Sequence, residues 1–212
     1  MKLLLVAATL PEIQPLLSAY SIVYGSDDKI IGKHHVKVLV TGAGMVSTAF
    51  SMGKHLSQYS YDLAINLGIA GSFDFSIALG EVCAVKEDTF AELGAEDGDE
   101  FLSFDSLGLG ISCHSDRHNP SFSTDSLREV SAITVNKIHG NELSIANVMK
   151  RFNPQIESME GASFFYACDQ SGIPCVQIRA ISNYVERRNR ENWDIQLAIT
   201  NLNETVIKLL ER

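Results

Sequence analysis

The chain has 212 residues, of which 45% are hydrophobic and 20% charged, with a net charge of −9. This suits one globular domain over residues 1–212 with a sizeable core. The negative balance argues against nucleic acid or an anionic membrane as partner, and no run approaches the roughly 20 apolar residues of a membrane span.

Cys83, Cys113, Cys168 and Cys175 show neither a Cys-x-x-Cys pair nor zinc spacing. They are expected to be reduced, mostly buried thiols of a cytoplasmic protein. The amino-terminal run Met1–Pro11 is too short and too weakly basic for a signal peptide and is expected to be a first strand. Within it Leu3 to Ala8 is continuously apolar, as for a strand covered on both faces. Thr9 and Pro11 then start a helix, which places Glu12 at the strand's carboxyl end. A first-turn glutamate also suits the helix dipole without any further role.

A polar, hairpin-like segment (Tyr20–Lys33) precedes a strand over His35–Thr41 and a helix through Leu56. Between them, Gly42-Ala-Gly44-Met-Val-Ser47 lacks the third glycine of a dinucleotide loop and does not follow the first strand. Asp62 to Gly68 reads as an interior strand ending in a turn, Gly68-Ile-Ala-Gly71-Ser72. Gly80 to Asp88 is the next strand. The acidic stretches around Glu92–Glu100 and at Asp88 are expected to sit in solvent. Residues 91–126 are polar and weakly patterned. Their His114, Asp116 and His118 lack a fourth ligand at metal spacing, so no metal site is expected; the segment is expected to cover a pocket or contact a partner subunit. Ala132–Val135 reads as a short strand and Ser144–Arg151 as an amphipathic helix.

Ser158 to Asn183 is the most informative stretch. Glu160 opens a helix that Gly172 and Pro174 stop, and Cys175–Ile181 suits a buried strand. At period two, Arg179, Ile181 and Asn183 share one face. A guanidinium in an apolar strand is costly unless something anionic meets it, so Glu160, Arg179 and Asn183 are expected to form one polar site. A basic, aromatic loop with Arg187, Arg188, Arg190 and Trp193 follows, then a terminal helix over Trp193–Leu210 with an apolar face.

Met159-Glu160-Gly-Ala, followed about twenty residues later by Arg179-Ala-Ile-Ser-Asn183, resembles the paired signature of the purine nucleoside phosphorylase and nucleosidase family. Ala8-Thr-Leu-Pro-Glu12 matches the spacing of a nucleosidase segment that ends in the water-activating acid. The resemblance implies a three-layer α/β/α fold with a central mixed, twisted sheet. It makes Glu12 the base and Arg179 a holder of the water, with Met159 and Glu160 on the ribose. Asn183 faces the purine, Ala70 and Gly71 form a wall, and Ile138 or His139 lies against the purine face. Trp193 lines the 5′ pocket, where Arg187 or a neighbouring arginine would pair with a substrate carboxylate. Ile69 stands where phosphorylases place a phosphate-binding hydroxyl, and no arginine precedes Arg117, which favours hydrolysis over phosphorolysis.

The adenine-specific pattern has aspartate where this chain has Asn183. An amide supplies no proton at neutral pH but donates well to O6 or N7, which points to a 6-oxopurine nucleoside; the resemblance implies one with an aromatic carboxylate at its 5′ end. The alternatives are a methylthioadenosine/adenosylhomocysteine nucleosidase, a 6-oxopurine nucleoside phosphorylase and a non-enzymatic nucleoside binder. The implied partners are a small-molecule nucleoside and further copies of the chain, as a homodimer or larger. Neither metal nor cofactor is required.

Overall fold

In the computed structural model, which describes residues 1–26, 28–117 and 119–212, helices cover both faces of a mixed sheet. The chain begins with β1 (Lys2–Ala7), α1 (Leu10–Ala19), β2 (Lys29–Ile31), β3 (His34–Val40) and α2 (Met45–Leu56). It continues through β4 (Leu63–Ser72), β5 (Val82–Phe90), β6 (Gly94–Asp97), β7 (Glu100–Ser103), β8 (Cys113–Ser115) and β9 (Arg128–Thr134). It ends with α3 (Glu142–Phe152), β10 (Ile156–Ser158), α4 (Gly161–Ser171), β11 (Cys175–Tyr184), a 3₁₀ turn (Arg190–Asn192) and α5 (Ile195–Leu210).

The main sheet runs β10-β9-β5-β11-β4-β1-β3-β2, with β8 on β5 and β6-β7 as a separate hairpin. β1 and β4 are interior strands, so successive residues serve opposite faces. Leu3 and Leu5 pack with Ile13 and Leu16 of α1 and Leu202 and Val206 of α5. Leu4 and Val6 join Met52 of α2 and Phe164 and Phe165 of α4. Those two cores are the joints of the three layers.

The sheet also closes on itself. β10 pairs parallel with β9 and antiparallel with β4, so β4, β11, β5, β9 and β10 form a ring. This closure corrects one expectation: Gly68–Ser72 is not a turn but the continuation of β4, because β11 pairs along it and β10 pairs with its end. β10 itself is three residues long, too short to leave a periodic signal.

Asp88 is a second correction. It does not sit in solvent; it is fully buried in β5, where Thr134 Oγ1 (2.7 Å) and Gln177 Nε2 (2.9 Å) donate to it. β5 lies between β9 and β11, and α4 covers it. His114 pairs with Asp169 and Asp116 with Lys86, while His118 lies outside the described residues. Among the described residues, no three His, Cys, Asp or Glu side chains could share a metal ion, and no helix is long and apolar enough to cross a membrane.

Candidate active site

Beyond the carboxyl ends of β1 and β11 lies a cavity of about 320 Å³, walled by Glu12, Ala43, Ile69, Met159, Glu160 and Asn183 among others. Open α/β sheets place ligands at this edge. A smaller lobe of about 80 Å³ continues past Asn183 to His139, Gly140 and Arg188. Gly71, Ile138, Glu157, Asn183 and Trp193 line both.

Glu12 is the third residue of α1 and reaches back to the helix cap. Its Oε2 accepts from the Thr9 backbone N–H (2.9 Å) and the Thr9 hydroxyl (2.7 Å), half of a capping box. Its Oε1 accepts from Ile69 N–H (3.2 Å) on β4. Three donors from two elements therefore fix a carboxylate that is only 8% exposed.

Glu160 is the N-cap of α4 and lines the same cavity as Glu12. Its Oε1 accepts from Gly44 N–H (3.0 Å), the N-cap of α2, so the carboxylate meets the positive end of that helix. Gly44 has φ +92°, a conformation that only glycine adopts without strain.

Arg179 lies beneath the cavity rather than in its wall, with no exposed surface. Its Nη2 donates to Asn66 Oδ1 and to Gln177 Oε1 (3.0 Å), and Gln177 in turn donates to Asp88. Its Nη1 is 3.8 Å from Glu160 Oε2. Nε and Nη1 have no hydrogen-bond partner among the described residues. An unpaired buried guanidinium N–H is costly, and Nη1 is the group of the two that lies near Glu160. Burial drives the Asp88 carboxyl up to about 6, although the bonds from Gln177 and Thr134 and the charge of Arg179 pull the other way.

The period-two expectation for Arg179 and Asn183 is corrected by an irregularity between Ile181 and Asn183. A bulge shifts the alternation, so Ser182 and Asn183 both line the cavity. Asn183 Oδ1 accepts from the Ser182 hydroxyl (2.8 Å), and Nδ2 donates to the Tyr184 carbonyl (3.0 Å). One amide N–H is left for a ligand.

Ala70, Gly71, Ile138, Met159 and Trp193 line the larger cavity, and His139 the smaller lobe. Arg187 does not reach either; it is exposed, and its neighbour Arg188 lines the smaller lobe instead. The Arg188 guanidinium stacks 5.1 Å from the Trp193 ring. Ile195 and Ile199 of α5 also line the cavity rather than serving only as core.

Glu157 was not anticipated. It is 3% exposed, and its carboxylate accepts from His139 N–H (2.9 Å) and His139 Nδ1 (2.6 Å). A carboxylate one residue ahead of the Ser158–Asn183 stretch carried no pattern; the signal available was a second acid three residues before Glu160.

The sequence profile of the Phosphorylase superfamily matches residues 3–212. The chain belongs to this superfamily. Among relatives, it is 27% identical over 179 residues to a futalosine hydrolase of Thermus thermophilus, covering 81% of this chain and 80% of that one. It is 25% identical over 193 residues to a 5′-methylthioadenosine/S-adenosylhomocysteine nucleosidase of Bacillus subtilis, covering 84% and 81%. Proteins of known structure share the fold: a Helicobacter pylori nucleosidase mutant with 5′-methylthioadenosine in its active site has TM-score 0.84 at 16% identity, covering 99% and 98%. A futalosine hydrolase mutant from the same species has TM-score 0.83 at 15% identity, with the same coverage.

Proposed function

We propose that this protein is a purine nucleosidase that hydrolyses the N-ribosidic bond of futalosine. Hypoxanthine is released, in the futalosine route to menaquinone. The observation that carries the reading is the pair of fixed carboxylates, Glu12 and Glu160, in one cavity above the unpartnered Nη1 of Arg179.

Cleavage of a riboside passes through an oxocarbenium-like sugar, which a nearby carboxylate and hydrogen bonds to the ribose hydroxyls stabilise. Glu160, held by Gly44 N–H, accepts from the 2′ and 3′ hydroxyls. Glu12 takes a proton from water as the water oxygen adds to C1′, and Arg179 donates to that water from below. The purine departs with the bonding electron pair, and the free N–H of Asn183 donates to O6 or N7 as charge builds there.

Two features separate this reading from its rivals. Among the described residues no arginine lines the larger cavity and Ile69 offers no hydroxyl, so beyond the single Nη1 of Arg179 beneath it an oxyanion such as phosphate lacks a clamp. Against methylthioadenosine, an Asn183 N–H aimed at the 6-position meets the N6 donor of a 6-aminopurine, and a site left with unpaired polar groups discriminates strongly. The Thermus relative's activity agrees with this reading and the Bacillus relative's with the rival. Trp193 and Arg188 offer a ring and a cation to an aromatic carboxylate.

Homo-oligomerisation belongs to the same reading. Val46 and Phe50, 79% and 70% exposed on α2, leave an apolar face just past Ala43 at the cavity. Light scattering that finds only monomer at micromolar concentration would remove this element. The reaction itself is tested by incubation with futalosine in the presence and absence of phosphate. Hypoxanthine and a free ribosyl product at equal rates are expected; a ribosyl 1-phosphate, or a phosphate requirement, would make it a phosphorylase.

A further inference from the structure

We propose that Glu157 is the residue that selects a lactam purine, its carboxylate accepting N1–H while the Asn183 amide donates to the adjacent O6. The proposal rests on the nucleosidase reading above and adds the group that chooses the base.

Burying a carboxylate is costly unless it is hydrogen-bonded, and Glu157 is buried at the junction of the two lobes. β10 places it there by pairing Glu157 with Gly71 of β4 and with Ile133 of β9. His139 binds it twice, through its backbone N–H and through Nδ1. An ionised carboxylate only accepts, so Nδ1 carries the proton in this pair. Each carboxylate oxygen keeps a second lone pair, so the His139 bonds fix the carboxylate without exhausting it.

Asn183 stands beside it. A Cβ built on Gly71 would lie 3.2 Å from Asn183 Nδ2 and 3.6 Å from Glu157 Cγ, so the amide and the carboxylate side chain flank one small residue. The result is an acceptor next to a donor, at the wall where the two lobes meet. A 6-oxopurine has the complementary pair on neighbouring atoms, a donor at N1 and an acceptor at O6. A 6-aminopurine has the reverse, an acceptor at N1 and a donor at N6, and is mismatched at both. Among the described residues, nothing else charged lines both lobes.

The test uses futalosine and its 6-amino counterpart, which differ only on the base, with wild type and Glu157→Gln. Wild type should favour the 6-oxo substrate. The variant should lose at least ~10²-fold in kcat/KM on the 6-oxo substrate and less than about threefold on the 6-amino one. Equal losses on both would reduce Glu157 to a structural role and overturn the proposal. A wild type that prefers the 6-amino substrate, or cleaves neither, would overturn the futalosine reading instead. A second measurement needs no variant: calorimetry of wild-type protein with hypoxanthine and 1-methylhypoxanthine. Loss of N1–H should weaken binding at least about 30-fold; equal binding of the two bases would refute an N1–H contact.

Discussion

Gly68→Ala tests whether the position of Arg179 matters. Gly68 on β4 pairs opposite Arg179 on β11. An added methyl would overlap Arg179 Nη1 and lie 3.0 Å from Glu12 Oε1. The guanidinium cannot retreat freely, because Nη2 is held by Asn66 and Gln177 in a fully buried setting. A forced shift of about 1 Å in a catalytic group costs on the order of 10²-fold in rate. Overpacking costs about 1–3 kcal/mol, offset by roughly 0.4–1 kcal/mol from the stiffer unfolded chain. At about 2–4 °C per kcal/mol for a chain of this size, Tm should fall by a few degrees. The assay is base release together with thermal unfolding, and Gly53→Ala is the control. Gly53 is exposed in α2, and its added methyl would meet nothing within 4 Å. That control should keep full activity and gain up to about 1 kcal/mol. If Gly68→Ala turns over within threefold of wild type, Arg179 need not be where it is, and its role in the mechanism is wrong.

Glu12→Gln should lower kcat by about 10²–10⁴-fold with little change in KM, since the general base is lost and the cavity is not; steady-state kinetics reads this, and an active variant would exclude Glu12 as base. Arg188→Ala should raise KM for futalosine far more than for inosine, while Arg187→Ala should do neither; parallel effects on both substrates would separate Arg188 from the substrate carboxylate. Asp88→Asn probes the buried network through pH. With its carboxyl raised to about 6 in the fold, Asp88 contributes stability that is fully present below about pH 4 and lost as pH rises through about 6. The stability of the variant relative to wild type should therefore rise by up to about 3 kcal/mol between pH 4 and pH 7, as read by urea unfolding. A flat or falling difference would contradict the burial argument.

The layers were legible because their signals are local. Leu3 to Ala8 is apolar throughout, Gly172 and Pro174 stop α4, and Asn183 and Glu160 stand out as polar residues among apolar ones. Glu12 was legible for the same reason, being fixed by a cap three residues away. What stayed hidden depends on strands that meet far apart in sequence. Asp88 looked like surface because its partners, Thr134 and Gln177, are 46 and 89 residues distant. Glu157 was hidden because β10 is three residues long and gains its meaning only by joining β4 to β9. The bulge before Asn183 leaves no mark on the alternation of Cys175–Ile181, and the choice between Arg187 and Arg188 depends on how the loop packs on Trp193.

The choice of a 6-oxopurine with an aromatic 5′ carboxylate is tested by kcat/KM for base release from futalosine, inosine and methylthioadenosine under identical conditions. Hypoxanthine should leave futalosine at least about tenfold faster than inosine, because Trp193 and Arg188 add binding energy worth about 1.4 kcal/mol or more. Almost no adenine should be released from methylthioadenosine. Adenine release from methylthioadenosine as the fastest reaction would contradict the assignment of Asn183 and Glu157 to a 6-oxopurine.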